Sequence, residues 1–267
     1  MSSELFMQGW SRRKVMGTGL ALLASTLAGR AWALGPDSEL DVAELVFSGR
    51  DRDGSLRQTL SRPSAWQRML YEVIQTTSVE CNPTAFQFAP QDPALFEHPF
   101  CVLIGDGALP PVSEEAVQQI QRFLSYGGFL LIDDASGSRG GSFETSVRDL
   151  CSRVFPTRPL SPLPRDHSIF RSFFLLDSPV GRVANSTYLE GVEVGPMTPL
   201  IFCPNDLSGA LERGPGGRDR YPVTPGGERQ RREAVKLGIN LVMYSLTSRY
   251  KHDQAHVKRL MEEGRLP

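Results

Sequence analysis

The stretch from Phe100 to Asp134 limits what this chain can fold into more than any other. Phe100-Cys101-Val102-Leu103-Ile104 and Phe129-Leu130-Leu131-Ile132 are continuous apolar runs, short for helices and without the alternation of a half-solvated strand. Runs of this kind are strands covered on both faces, the usual state in a parallel sheet. Between them lies one amphipathic helix. Ser113 caps it, Glu114 and Glu115 favour its positive end, and Val117, Ile120, Phe123 and Leu124 line its inner face. Gly127-Gly128 ends it. Strand, helix and strand in this order form a right-handed parallel crossover. The fold class that follows is α/β: a doubly wound, mostly parallel sheet with helices on both faces, a flavodoxin-like three-layer sandwich.

The rest of the chain extends that unit. Val42 to Phe47 reads as the first strand, followed by a charged turn from Gly49 to Gly54. Pro63 opens a helix whose Trp66, Met69, Leu70, Val73 and Ile74 share one face. Ala85 to Phe88 is a short second strand. A helix from Phe143 to Val154 ends before the proline-rich segment Pro156 to Pro164, and Leu189 to Val194 and Leu200 to Cys203 are later strands. Gly214 to Gly227, rich in Gly, Pro and charge, is expected to be a mobile surface loop. Glu228 to Leu246 is the longest helix, and a separate short charged helix is expected from Asp253 to Glu263. No linker-like stretch divides residues 34 to 267, which are expected to form a single domain with its core at about Val42 to Leu246.

Residues Met1 to Ala33 read as a twin-arginine export signal: Ser11-Arg12-Arg13-Lys14, a modest apolar run from Val15 to Ala28, and Ala31-Trp32-Ala33 at a cleavage site. Arg12 and Arg13 are the signal residues. The apolar run is shorter than the roughly 20 residues a membrane span needs, so no stable insertion is expected after cleavage. The expected partner is the Tat translocase, and the expected location is periplasmic or extracellular. The whole chain carries 29 Lys and Arg against 30 Asp and Glu, of which the signal holds four and one. The remainder is therefore mildly acidic, at about −4, which argues against a nucleic-acid partner. Cys81, Cys101, Cys151 and Cys203 lack zinc or redox spacing and are expected to be buried thiols, since a chain folded before export folds among reduced thiols.

Ligands of open parallel sheets bind beyond the carboxyl ends of the strands. Three polar pairs fall at or near such ends: Asp133-Asp134, Asp166-His167 and Asn205-Asp206. Neighbouring side chains in a strand point to opposite faces, so at most one of Asp133 and Asp134 faces a given cleft. Asp134, His167 and Asp206 are the candidate catalytic set, with His167 as acid/base or ligand and the carboxylates as orienters; they are also the candidate ligands if a divalent metal is bound. Asp133, Asn205, Gly105 and Asp106 are candidate ligand-binding residues. Each pair also has a structural reading, as a helix cap, an Asx turn or a solvated end. No nucleophile elbow, phosphate loop or dinucleotide fingerprint is present, so no nucleotide cofactor is expected.

A set of motifs carries a family resemblance: Pro63 with Trp66; Leu95-Phe96-Glu97-His98-Pro99-Phe100; Phe123-Leu124 running into Gly127 to Asp134; Asp166-His167-Ser168-Ile169-Phe170; Asn205-Asp206-Leu207; and Leu237-Gly238-Ile239-Asn240-Leu241. In this order they resemble a bacterial family of unknown function, DUF4159, over about Val42 to Leu246. The resemblance implies a fold similar to class I glutamine amidotransferase-like domains. Those domains need a cysteine on a strained turn after a central strand, and none of the four cysteines stands in that context; the family also usually has proline at position 168. The reading that follows is a module binding an envelope protein or a small molecule, the alternative being a metal-dependent or acid/base hydrolase.

Overall fold

The structure is a computed structural model and describes residues 39–262, residue 52 excepted, with side chains described as far as residue 248. The expected signal, with Arg12 and Arg13, lies outside the described residues. In chain order the elements are β1 (Leu40–Leu45), the hairpin β2 (Ser48–Arg50) and β3 (Leu56–Gln58), α1 (Pro63–Thr76), β4 (Cys81–Phe88), β5 (Phe100–Gly105), α2 (Glu114–Ser125), β6 (Phe129–Asp134) and α3 (Ser142–Val154). They are followed by β7 (Ser161–Pro162), β8 (Glu190–Val194), β9 (Met197–Cys203), α4 (Leu207–Leu211) and α5 (Gly227–Glu262).

Seven strands form one sheet in the order β4-β1-β5-β6-β9-β8-β7. The first five in that order are parallel; β8 runs antiparallel to β9, and β7 antiparallel to β8. From β1 the chain steps outward to β4, then returns to the other side of β1 with β5, so its direction of travel reverses between β1 and β5. That gap is the topological switch point. Alternation along the strands divides the core. Val42, Val102, Leu131 and Ile201 face α1, α4 and α5, whereas Ala43, Leu103, Leu130 and Phe202 face α2 and α3.

Local chemistry explains where elements start and stop. Ser113 Oγ accepts from the Ala116 amide and caps α2, as expected. β4 begins earlier than expected, at Cys81, despite Pro83. It is an edge strand, and a proline without N–H is tolerated where the outward donor has no strand to meet. The last two helices are one, since Thr247 to His252 contains neither glycine nor proline to interrupt the backbone ladder.

The segment from Gly214 to Gly227 is also tied down, contrary to expectation. Arg220 N donates to Glu212 O at 3.0 Å, Thr224 N to Arg182 O at 2.8 Å, and Arg231 Nη2 to Tyr221 O at 2.8 Å. Its polar composition marks it as solvent-facing but carries no sign of these long-range partners.

Candidate functional site

Both halves of the site lie at the carboxyl edge of the sheet. On the side of α1 and α4, β6 ends in Asp133, whose carboxylate accepts from Leu207 N at 2.8 Å and Ser208 N at 2.6 Å. Asp206 accepts from Gly209 N at 2.9 Å, so two carboxylates satisfy the first three amides of α4. Burial pushes the Asp133 carboxyl up to about 6, helped by the charge of Asp206 and opposed by these hydrogen bonds. Asp206 has φ 53°, the only non-glycine residue at positive φ among the described residues. Its carboxylate also takes Arg62 Nη1 at 2.6 Å on one oxygen and Arg182 Nε on the other. Glu44, on the same face of β1, accepts from Arg62 N at 3.0 Å and from the Ser61 hydroxyl; burial pushes its carboxyl upward.

On the side of α2 and α3, β5 and β6 end in register, Gly105 beside Asp134. A side chain at position 105 would run into the Phe143 ring, its Cβ only 2.1 Å from Cε2, so glycine lets α3 lie against the strand end. The chain leaving β3 is strapped over the switch point by Thr59 N to Phe47 O at 3.0 Å and Leu60 N to Ile104 O at 2.9 Å. Between this strap and the start of α3 opens a pocket of about 450 Å³, walled by Arg57, Thr59, Gly105, Asp106, Gly107 and Ser142 among others. Asp134 is fully buried beside it. Its Oδ1 accepts from Ser136 N at 2.9 Å, its Oδ2 has no hydrogen-bond partner among the described residues, and burial pushes its carboxyl upward.

The expected residues therefore divide. Asp133 and Asp134 turn to opposite faces of the sheet, as the pleat requires. Gly105 and Asp106 line the pocket. Asn205 is committed within the chain: its Oδ1 accepts from Ser186 N, and its Nδ2 donates to Pro179 O and Ser186 O. His167 is not part of the site. Its Nε2 meets Thr198 Oγ1 at 3.0 Å near the amino end of β9, whereas Cys203 pairs with Asp133 at the other end. Five residues of strand separate them by roughly 16 Å, so Asp134, His167 and Asp206 do not share one centre. His167 Nδ1 accepts from Ile169 N, which places the ring proton on Nε2, and burial lowers its basicity. Among the described residues no three His, Cys, Asp or Glu side chains are arranged to hold a metal ion.

The thiols are equally remote from chemistry. All four cysteines are buried and unbridged. Burial pushes Cys81 up to about 11 and Cys151 to about 12, and Cys101 and Cys203 well above the ordinary thiol range.

A sequence model described as a domain of unknown function matches residues 51–246. The chain belongs to the DUF4159 family. The matched stretch begins after β1, so Glu44 lies ahead of it. No curated protein matches the chain. The residues that sequence reasoning missed are Arg57, Arg62, Arg182 and Tyr221 within this DUF4159 match and Glu44 ahead of it. Arg62 alone left a trace: it stands before the helix-opening Pro63, where a capping Ser, Thr, Asp or Asn is usual.

Proposed function

We propose that this DUF4159 protein is an exported ligand-binding module of the cell envelope, carried out by the Tat translocase behind Arg12 and Arg13, with a class I glutamine amidotransferase-like sheet that lacks a cysteine nucleophile. The pocket of about 450 Å³ at the switch point between β1 and β5 carries this reading. Open α/β sheets bind their ligands at such crevices, and the wall here supplies a guanidinium, hydroxyls, a carboxylate and backbone at two glycines. Binding is favoured over thioester chemistry because every thiol is buried and held protonated. The hydrolase alternative keeps one support, the buried and upward-shifted Asp134, and lacks the imidazole that it required.

Gly107 offers the test. A Cβ there meets nothing within 4 Å and Gly107 walls the pocket, so Gly107→Phe is expected to fill its mouth while keeping the fold. In a thermal-shift screen of small polar molecules without phosphate groups, wild type is stabilised by a subset of compounds and Gly107→Phe by none of them, at an unchanged melting temperature without ligand. Equal stabilisation of both proteins counts against the pocket.

A further inference from the structure

We infer that a second site, on the opposite side of the sheet edge from the Gly107 pocket, binds a phosphate group between Arg62, Arg182 and Arg220 around Tyr221. The Cζ atoms of these arginines lie 5.2, 6.0 and 5.5 Å from the centroid of the Tyr221 ring. They come from three distant parts of the chain: the start of α1, the segment before β8 and the loop before α5. Three like charges gathered around one ring repel one another. The chain supplies three carboxylates beside them: Asp206, shared by Arg62 and Arg182; Glu44, which accepts from Arg62 N; and Glu212, whose Oε1 is 3.7 Å from Arg220 Nη1 and too far for a hydrogen bond. Asp133 lies behind Asp206 and is committed to the amides of α4.

Donor capacity carries the inference further than charge. A guanidinium has five N–H groups. Arg62 commits Nη1 to Asp206, Arg182 commits Nε to Asp206 and Nη2 to Ala135 O at 3.5 Å, and the Arg220 side chain makes no hydrogen bond among the described residues. The aromatic ring holds three planar donors whose remaining N–H groups suit an oxyanion. Side-chain exposure rises from 10 % at Arg62 through 25 % at Arg182 to 55 % at Arg220, so solvent reaches the cluster from the Arg220 side. A phosphate presents acceptor oxygens in three directions to three guanidiniums, whereas a carboxylate has two oxygens in one plane. Its entry replaces the long contact between Arg220 and Glu212.

The test is calorimetric titration of the full chain with inorganic phosphate at fixed ionic strength, with chloride and acetate as comparisons. Phosphate binds wild type, Arg220→Gln weakens it about tenfold, as loss of one charge-assisted contact implies, and Arg220→Lys restores part of the loss. The Arg220 side chain makes no hydrogen bond among the described residues and its backbone bond to Glu212 O is kept in the variant, so Arg220→Gln keeps the wild-type melting temperature. Gly107→Phe leaves phosphate binding unchanged, which separates this site from the pocket. Heat no greater than that of chloride, equal phosphate affinity in Arg220→Gln, or acetate binding as tightly as phosphate would each overturn the assignment.

Discussion

At the scale of single residues, two acidic neighbours at the end of β6 are turned to different uses by the pleat. Asp133 is a cap for α4 and Asp134 a buried acid beside the pocket. The pH dependence of stability follows from the first. Asp133 takes up its proton at about 6 in the folded chain against an ordinary 3.8, so the folded state holds that proton more tightly. Stability contributed by this group is therefore present at low pH and is lost as pH rises through the window from 3.8 to about 6. Urea unfolding of Asp133→Asn across that window gives a flatter profile than wild type; equal slopes would show that Asp133 does not titrate differently on folding. His167 is a clamp between Ile169 and Thr198, and His167→Ala is expected to cost about 2 kcal/mol in urea unfolding while ligand stabilisation persists, because two buried polar groups lose partners. The pairing of Asp166 with His167 in sequence suggested chemistry. The decisive contact, with Thr198, is 31 residues away and leaves no local mark.

At the scale of elements, periodicity was sufficient for most of the sheet and its helices. The apolar runs of β5 and β6, the stripe along α2 and the proline opening α1 stand where hydrophobic pattern and capping chemistry put them. What pattern could not supply is contact between elements far apart in sequence. Arg62 reaches Asp206 across 144 residues, and Tyr221 brings in a third segment that composition alone marks as a loop. Gly181 shows how closely these segments approach. A Cβ there would lie 2.1 Å from the backbone oxygen of Asn205, and backbone cannot swing aside as a long side chain can. Gly181→Ala is therefore expected to cost about 3 kcal/mol and to disturb the αL geometry of Asp206. Chemical denaturation measures the first, and loss of phosphate binding reports the second.

At the scale of the whole molecule, the mostly parallel sheet places the carboxyl ends of β4, β1, β5, β6 and β9 on one edge, and the reversal between β1 and β5 leaves a crevice there. The class of fold could be reasoned from one crossover, and the pocket wall at Gly105 and Asp106 from where β5 stops. Arg57 and Ser142 complete that wall through packing alone. No described helix is long and apolar enough to cross a membrane. The export proposal has its own test: changing Arg12 and Arg13 together to lysine leaves the chain in the cytoplasmic fraction, whereas unaltered fractionation would remove the twin-arginine route.

The claim that the switch-point pocket binds the physiological ligand is tested most directly by amide chemical-shift mapping of wild type and Gly107→Phe with the small-molecule fraction of a cell-envelope extract. Shifts are expected at Gly105, Asp106, Gly107 and Ser142 in wild type, and none at Gly105, Asp106 or Ser142 in the variant. Shifts of equal size at those three residues in both proteins, or shifts confined to residues away from this edge of the sheet, would contradict it.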